Sequence, residues 1–272
     1  MAKRPPSKRT VHSVDDPLSL VTHRTQARYG WTPDLPDHRD QVYSAPTPSR
    51  GLPAAVDLRA SCPPVYDQGQ LGSCTANAIA GAIEFDRKKQ RLSDFVPSRL
   101  FIYYNERVME GTVGSDSGAQ IRDGIKSVNK IGAPPETDWP YDIAKFTQKP
   151  PPKAYNDAKL DRAVQYQKIV QTLAQLQGCL ASGFPYVFGF TVYESFESQA
   201  VARTGIMPMP ATGEKKVGGH AVLAVGYDTA TRMTIVRNSW GSSWGKSGYF
   251  MMPFEFMLSP NCSDIWTIRS VG

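Results

Sequence analysis

The sequence predicts an α+β chain in two lobes, a helix-rich half followed by a strand-rich half. Three observations carry this. Apolar residues recur at helical spacing after Cys74, after Ser98 and over 119–130. Short β-branched and aromatic runs follow at 163–170, 186–192, 221–227, 233–237, 248–252 and 265–269. Between the two halves, Lys149-Pro150-Pro151-Pro152-Lys153 reads as a stiff, extended crossover.

Residues 1–10 hold Lys3, Arg4, Lys8 and Arg9 with no acid, and no apolar h-region follows. A disordered basic tail is expected rather than a secretory signal. No run approaches the ~20 apolar residues of a membrane span, so the compartment stays open between cytoplasm and export by another route. The net charge of +6 divides evenly, +3 in residues 1–50 and +3 in the rest. This is not the clustered basic face of a nucleic-acid binder. Residues 25–51 are rich in Pro, Asp and Arg, but Trp31 and Tyr43 need something to pack on. A short propeptide along a cleft and a permanent arm on the body are both open here.

Asp67-Gln68-Gly69-Gln70-Leu71-Gly72-Ser73-Cys74 reads as a glycine-rich turn that delivers one cysteine to a helix start. Ala76, Ile79, Ala80 and Ile83 then form an apolar stripe. At a helix N-terminus the unpaired N–H groups and the dipole favour a thiolate. Alone, such a cysteine is more simply a small buried hydrophobe. Ser98 is a candidate N-cap for a core helix with Leu100, Tyr103, Tyr104 and Val108 on one stripe. The loop Gly114-Ser115-Asp116-Ser117-Gly118 opens the next helix. Past the crossover, 172–182 reads as a helix ended by Gly183.

Roughly 150 residues after Cys74 come Gly218-Gly219-His220-Ala221-Val222 and Arg237-Asn238-Ser239-Trp240-Gly241-Ser242-Ser243-Trp244-Gly245. A thiol nucleophile needs a base, and the base needs an orienting group. His220 and Asn238 suit those roles. Cys74 lies in the first half and the other two in the second, which puts the site in a cleft between lobes. His12, His23 and His38 lack metal-ligand spacing and are expected to be solvated, so no metal site is expected.

Gln68, Cys74, His220 and Asn238, in this order, resemble the papain family of cysteine peptidases. The most specific part is Asn238-Ser239-Trp240-Gly241 with Trp244-Gly245, continued by Gly248-Tyr249-Phe250. Leu52-Pro53 to Asp57-Leu58-Arg59 resembles the start of a mature enzyme, so the likeness covers about 52–272. It implies a papain-like two-lobe fold, with a helical lobe over about 52–152 and a β-barrel-like lobe over about 153–272. Residues 1–51 would be a tail and a propeptide or arm, and the protein a zymogen. Cys74 would attack the scissile carbonyl, His220 would serve as its base and ion-pair partner, and Asn238 would orient His220. Gln68 would donate to the oxyanion and Trp240 would shield the His220–Asn238 bond. Gly118 would pair with the substrate backbone. Gly189 and Gly219 would open the S2 pocket, and Trp244 would bind the leaving-group side.

The function implied is a cysteine-type endopeptidase that forms a covalent acyl-enzyme. An exopeptidase or peptide ligase on the same fold is the alternative, and an inactive papain-like binding protein ranks below both. No cofactor is expected beyond a reduced thiol. The partners expected are peptide or protein substrates, with no nucleic acid and no membrane, and the chain is expected to be a monomer. Departures from the family pattern are Leu71, in place of a disulfide cysteine, and Thr75, in place of an aromatic. Cys179 is expected to be buried and free, while Cys62 and Cys262 are left able to pair. With Gly189 and Gly219 on its walls, S2 should take a bulky apolar or aromatic side chain. Peptides differing only at that position should therefore be cleaved faster with Phe than with Ala; equal rates would refute this.

Overall fold

A computed structural model describes residues 29–46 and 51–272. The basic stretch 1–10, His12 and His23 lie outside the described residues. His38 is exposed, as expected.

The glycine turn ends at Ser73, and α1 (Cys74–Lys89) starts there. The sequence offers one narrow apolar stripe, yet α1 is buried continuously from Cys74 through Arg87. Its small residues let neighbours close on every side. Two helices, α2 (Arg99–Glu110) and α3 (Ile121–Ile131), cover one side. Ile79 reaches Gly124 of α3, where a Cβ would have no room. Burying the helix all round forces its polar residues to find partners inside. Thr75 donates to Glu106 of α2 at 2.6 Å, and the Tyr66 hydroxyl donates to Glu84. Burial pushes the Glu106 carboxyl well above the usual range. It also pushes Asp86 up to about 8, with Arg269 and Lys89 holding the shift back.

Ser98 caps α2 by accepting from the Phe101 N–H at 3.2 Å and donates to the Trp139 carbonyl at 2.6 Å. Gly111, at φ 71°, ends the helix in the left-handed conformation. Leu100 and Tyr103 are buried as expected, but Val108 faces solvent. Arg107 takes the inward place instead. Its guanidinium binds the carbonyls of Val113 at 3.0 Å, Ser115 at 2.9 Å and Phe146 at 2.5 Å. A buried arginine therefore shapes the glycine loop before α3.

The proline crossover is extended only to Pro151. Pro152 then opens a short helix, α4 (Pro152–Ala158), that the sequence reading missed. A proline in the first helical turn costs no hydrogen bond, so the run serves as both strap and helix start.

The remaining elements build one sheet. Its strands are β1 (Val42–Tyr43), β2 (Ala55–Asp57), β3 (Ala163–Ile169), β4 (Tyr186–Tyr193), β5 (Lys216–Asp228), β6 (Met233–Arg237), β7 (Tyr249–Pro253) and β8 (Cys262–Val271). Helix α5 (Leu173–Ala181) begins one residue later than expected, with Thr172 as its cap. The short α6 (Gln199–Thr204) and α7 (Phe254–Met257) were not foreseen. The strand order is β1-β3-β8-β4-β5-β6-β7, with β2 added on β5. The sheet is open rather than barrel-like, because β1 and β7 end it without meeting. β5 begins five residues earlier than expected. Its glycines pair with β4, Gly219 opposite Thr191 and Gly218 opposite Val192, instead of forming a turn. Alternate residues of β5 serve two cores: Ala221, Leu223 and Val225 join the cluster around α1, and Val222 and Ala224 join the cluster on the far face.

All four cysteines are free. Cys62 and Cys262 do not pair: the Cys62 thiol donates to the Leu58 carbonyl at 3.5 Å, and Cys262 is buried beside Met252. Ser98→Ala removes both a cap and a tie to Trp139. It should cost about 1–2 kcal/mol and lower Tm by roughly 2–4 °C per kcal/mol in thermal unfolding.

Candidate active site

Cys74 is the first residue of α1 and has no exposed surface. The turn before it is tied down at Gly72, Ser73 and Gln68. The Gly72 N–H donates to Asp116 Oδ1 at 3.0 Å, and the Tyr103 hydroxyl donates to the same oxygen at 2.5 Å. The Ser73 hydroxyl lies 2.5 Å from the Tyr141 hydroxyl, which donates to the Gln68 carbonyl at 2.9 Å. Asn77 Nδ2 donates to the Ser73 carbonyl at 2.9 Å.

The Gln68 side chain is buried and its amide orientation is fixed. Oε1 accepts from the Ser239 hydroxyl at 2.6 Å, and Nε2 donates to the Leu71 carbonyl at 2.9 Å. Gln68 lies on the turn that leads to Cys74, with one further N–H on Nε2. The Gln68 N–H donates to the Ser239 carbonyl at 2.9 Å and the Gly241 N–H to the Tyr66 carbonyl at 2.9 Å. These two bonds tie the Gln68 segment of the first half to the Asn238–Trp240 segment of the second.

His220 Nε2 lies 2.8 Å from Asn238 Oδ1. The same oxygen accepts from the Ser239 N–H at 2.8 Å, which identifies it as the carbonyl end of the amide. His220 must therefore carry a hydrogen on Nε2, which leaves Nδ1 as the basic nitrogen in the neutral ring. Trp240 stacks on the imidazole at 4.8 Å between centroids, and Phe190 meets its edge at 5.8 Å. Trp244 stands edge-on to Trp240 at 5.1 Å. The backbone of Ala221, next to His220, hydrogen-bonds to Cys74, so both halves meet at the sulfur.

The cleft above these groups is filled by the chain's own segment Tyr29-Gly30-Trp31. The Trp31 N–H donates to the Gly219 carbonyl at 3.0 Å. The Ala119 N–H donates to the Gly30 carbonyl at 2.7 Å, and the Thr32 N–H to the Ala119 carbonyl at 3.1 Å. The residue that pairs with the arm is thus Ala119, one beyond the expected Gly118. Gly118 instead lies against the Gly30 backbone at φ 72°, where a Cβ would have no room. The Trp31 indole covers Gly189 and Gly219, and the Tyr29 ring covers Gly218. Tyr29 also meets His220 edge-on at 6.1 Å, and its hydroxyl donates to Glu197. Burial under this cover pushes the Cys74 thiol up to about 12, with the N–H groups of Ala221 and Gly30 holding the shift back. The helix terminus alone favours a thiolate, and burial in the closed cleft outweighs it.

Behind this plug, residues 34–43 form an anchor. Asp34 accepts from the Arg122 N–H at 3.0 Å and from the Trp266 indole at 2.9 Å. Asp264 Oδ2 accepts from the Trp31 indole at 3.1 Å and from the Asp34 N–H at 2.9 Å. Arg122 pairs with Asp40 at 2.6 Å, both nearly buried. β1 adds Val42 and Tyr43 to β3, and Tyr43 is buried. Sequence reasoning missed Asp116, Tyr141 and Asp264, since each acts through partners far away in the chain. The only signal in the arm was its aromatics.

Fold and site together define a cysteine peptidase of the two-lobe kind. The sequence pattern described as papain family cysteine protease matches residues 52–257, and the chain belongs to that family. It is a peptidase hydrolase. It is similar to an uncharacterized peptidase C1-like protein of Acanthamoeba polyphaga mimivirus, 51% identical over 215 residues, which span 75% of this chain and 69% of that protein. Cysteine proteinase 3 of Entamoeba histolytica is 27% identical over 240 residues, 85% of this chain and 72% of that one. Among solved structures, xylellain, a cysteine protease from Xylella fastidiosa, superposes with a TM-score of 0.84 at 44% identity, covering 91% of this chain and 97% of its own.

Burial, and then the charge of Asp264, raise Asp34 from its ordinary 3.8 to about 6 in the docked arm. The docked state therefore holds this proton more tightly. Its contribution to docking is full below about pH 4 and is lost as pH rises through about 6, up to roughly a hundredfold in the docking equilibrium. Hydrogen exchange at the Thr32 amide, corrected for intrinsic rate, should accelerate between pH 5 and 7.5, and Asp34→Asn should flatten that rise. An equal rise in the variant would refute the assignment.

Proposed function

We propose that the chain is a cysteine-type endopeptidase that works through Cys74, His220, Asn238 and Gln68 and is held inactive by its own N-terminal arm. The observation that carries this reading is the His220 Nε2–Asn238 Oδ1 bond of 2.8 Å, with the Asn238 oxygen identified by the Ser239 N–H. That bond leaves Nδ1 to take the Cys74 proton. The thiolate then adds to the scissile carbonyl. The imidazolium gives its proton to the leaving amine, and a water hydrolyses the thioester with His220 again as base. Gln68 Nε2 and the Cys74 N–H would donate to the oxyanion. The bonds from Ser239 and to Leu71 support this role, because they hold the amide ready before substrate arrives. Trp240 keeps water from the His220–Asn238 bond, which strengthens it.

For the arm itself, the buried Arg122–Asp40 pair and the β1–β3 pairing favour a permanent anchor with a displaceable plug over a discarded propeptide.

Gln68→Ala should lower kcat/KM on a peptide substrate by about 10²–10³, and Cys74→Ala should abolish turnover. Incubation with a thiol and an epoxide thiol-peptidase inhibitor should add one inhibitor mass to the intact wild-type chain and none to Cys74→Ala. Loss of about the first fifty residues, in the wild type alone, would keep the peptidase but overturn the permanent anchor.

A further inference from the structure

Beneath the turn that presents Cys74 lies a buried polar cluster that starts at Arg99, the first residue of α2. Glu136 takes two of the guanidinium nitrogens, Nε at 2.9 Å and Nη2 at 2.7 Å, and so fixes its plane. The guanidinium lies 4.1 Å from the centroid of the Tyr141 ring. The third nitrogen, Nη1, faces the turn. It donates to the Asp67 carbonyl and to Asn77 Oδ1, both at 3.2 Å. An arginine can only donate, so this contact identifies the Asn77 oxygen and leaves Nδ2 as the end that carries hydrogens.

Asn77 passes the bonding on. Its Nδ2 donates to the Ser73 carbonyl at 2.9 Å and to the Ser73 hydroxyl at 3.1 Å. The Asn77 main-chain N–H already gives that carbonyl a helical bond at 3.0 Å, so the oxygen accepts twice. The order of hydrogens then follows. The Tyr141 hydroxyl donates to the Gln68 carbonyl at 2.9 Å, so it must accept from the Ser73 hydroxyl, 2.5 Å away. Every donor from Arg99 onward points the same way, and the two branches end on the carbonyls of Ser73 and Gln68.

Both ends bear on the groups that would bind the oxyanion. The Ser73 carbonyl and the Cys74 N–H belong to one planar peptide unit, so fixing the oxygen fixes the direction of the N–H. Bonds accepted at the oxygen also polarise the unit and make its N–H a stronger donor. Gln68 is held at both of its peptide units, by Arg99 through the Asp67 carbonyl and by Tyr141 through its own. Glu136 balances the charge of Arg99, so the cluster acts through bonds rather than a long-range field. A staple that only joined α2 to α1 would not need a second bond on the Ser73 carbonyl.

We propose that Arg99 and Asn77 are positioning residues for the oxyanion donors: acting through the Ser73 carbonyl, they aim and strengthen the Cys74 N–H while holding Gln68 beside it. The proposal rests on the peptidase reading and deepens it.

Two reactions of Cys74 separate this role from general support, both measured in the full chain carrying Trp31→Ala, which opens the cleft. A peptide aldehyde takes the thiol as a hemithioacetal. The C–S bond forms, the carbonyl π bond breaks and the thiol proton passes to the oxygen, which stands where the oxyanion forms. Iodoacetamide forms a C–S bond, releases iodide and a proton, and builds no oxyanion. Asn77→Leu should weaken aldehyde affinity by about tenfold, less than the roughly 10²–10³ of losing a donor outright, while alkylation stays within about twofold. On a peptide substrate, kcat should fall by a similar factor with KM within about twofold. Unchanged aldehyde affinity, or an equal loss in both reactions, would overturn the proposal.

Aldehyde affinity needs no turnover, so the two readings fail separately. A selective affinity loss in a protein whose wild type cleaves no peptide would sustain the positioning role and sink the peptidase reading. Cleavage by the wild type with unchanged kcat and aldehyde affinity in Asn77→Leu would do the reverse. Should Asn77→Leu fail to fold, Arg99→Lys keeps the charge but cannot serve Glu136, Asp67 and Asn77 together. The same split between aldehyde and iodoacetamide is expected there, and its absence would overturn the proposal.

Discussion

A helix buried on every side is the constraint on which the rest of this molecule depends. α1 carries Cys74 at its first position and is sealed through Arg87. Its rotation and depth are set by contacts along its whole length, not by an apolar stripe sliding on a surface. The polar residues on it pair inward, Thr75 with Glu106 of α2 and Asn77 with Ser73 of the turn that presents the thiol. Near neutral pH the burial of the Asp86 and Glu106 carboxyls works against the closed helix, since exposure would let them ionise, and the packing along its whole length outweighs that cost.

From this fixed point the site is assembled by backbone as much as by side chains. The turn at Gly72 is held by Asp116, and the Gln68 segment is stitched to the Ser239 segment by main-chain bonds. These stitches join the halves at the place where His220 and Asn238 meet, so the orienting bond and the amide of Gln68 belong to one rigid unit. The arm then uses what the cleft leaves open. Glycines at 30 and 118 allow backbones to approach where any Cβ would intrude, and glycines at 189 and 219 leave room for an indole. Burial in the closed cleft pushes the Cys74 thiol up, against the N–H groups of Ala221 and Gly30 that hold the shift back.

Much of this was legible in the sequence, for reasons that differ by residue. Cys74, His220, Asn238 and Gln68 were legible because their types and order carry chemistry that few other arrangements share. The strands were legible from their β-branched runs, but Gly218 and Gly219 hid the start of β5, since glycine reads as a turn unless its pairing partner is known. Val108 was misplaced because an arginine, whose head reaches carbonyls of a neighbouring loop, took the inward position. The open sheet in place of a barrel, and the separate burial of Cys62 and Cys262, depend on long-range closure that no local pattern reports. The bond from Trp31 to Asp264 spans 233 positions, which is why the aromatics of the arm announced a contact without naming it.

The central claim is that the arm plugs a site already built, and the reactivity of Cys74 measures it most directly. Carboxamidomethylation of Cys74 by iodoacetamide at pH 7.5 would be followed by mass in the full chain and in the full chain carrying Trp31→Ala. The account predicts a slow reaction in the first and an acceleration of at least about tenfold in the second, as the thiol regains water and its lower pKa. Equal rates in the two proteins would contradict it, because the cleft would then be open whether or not Trp31 lies across it.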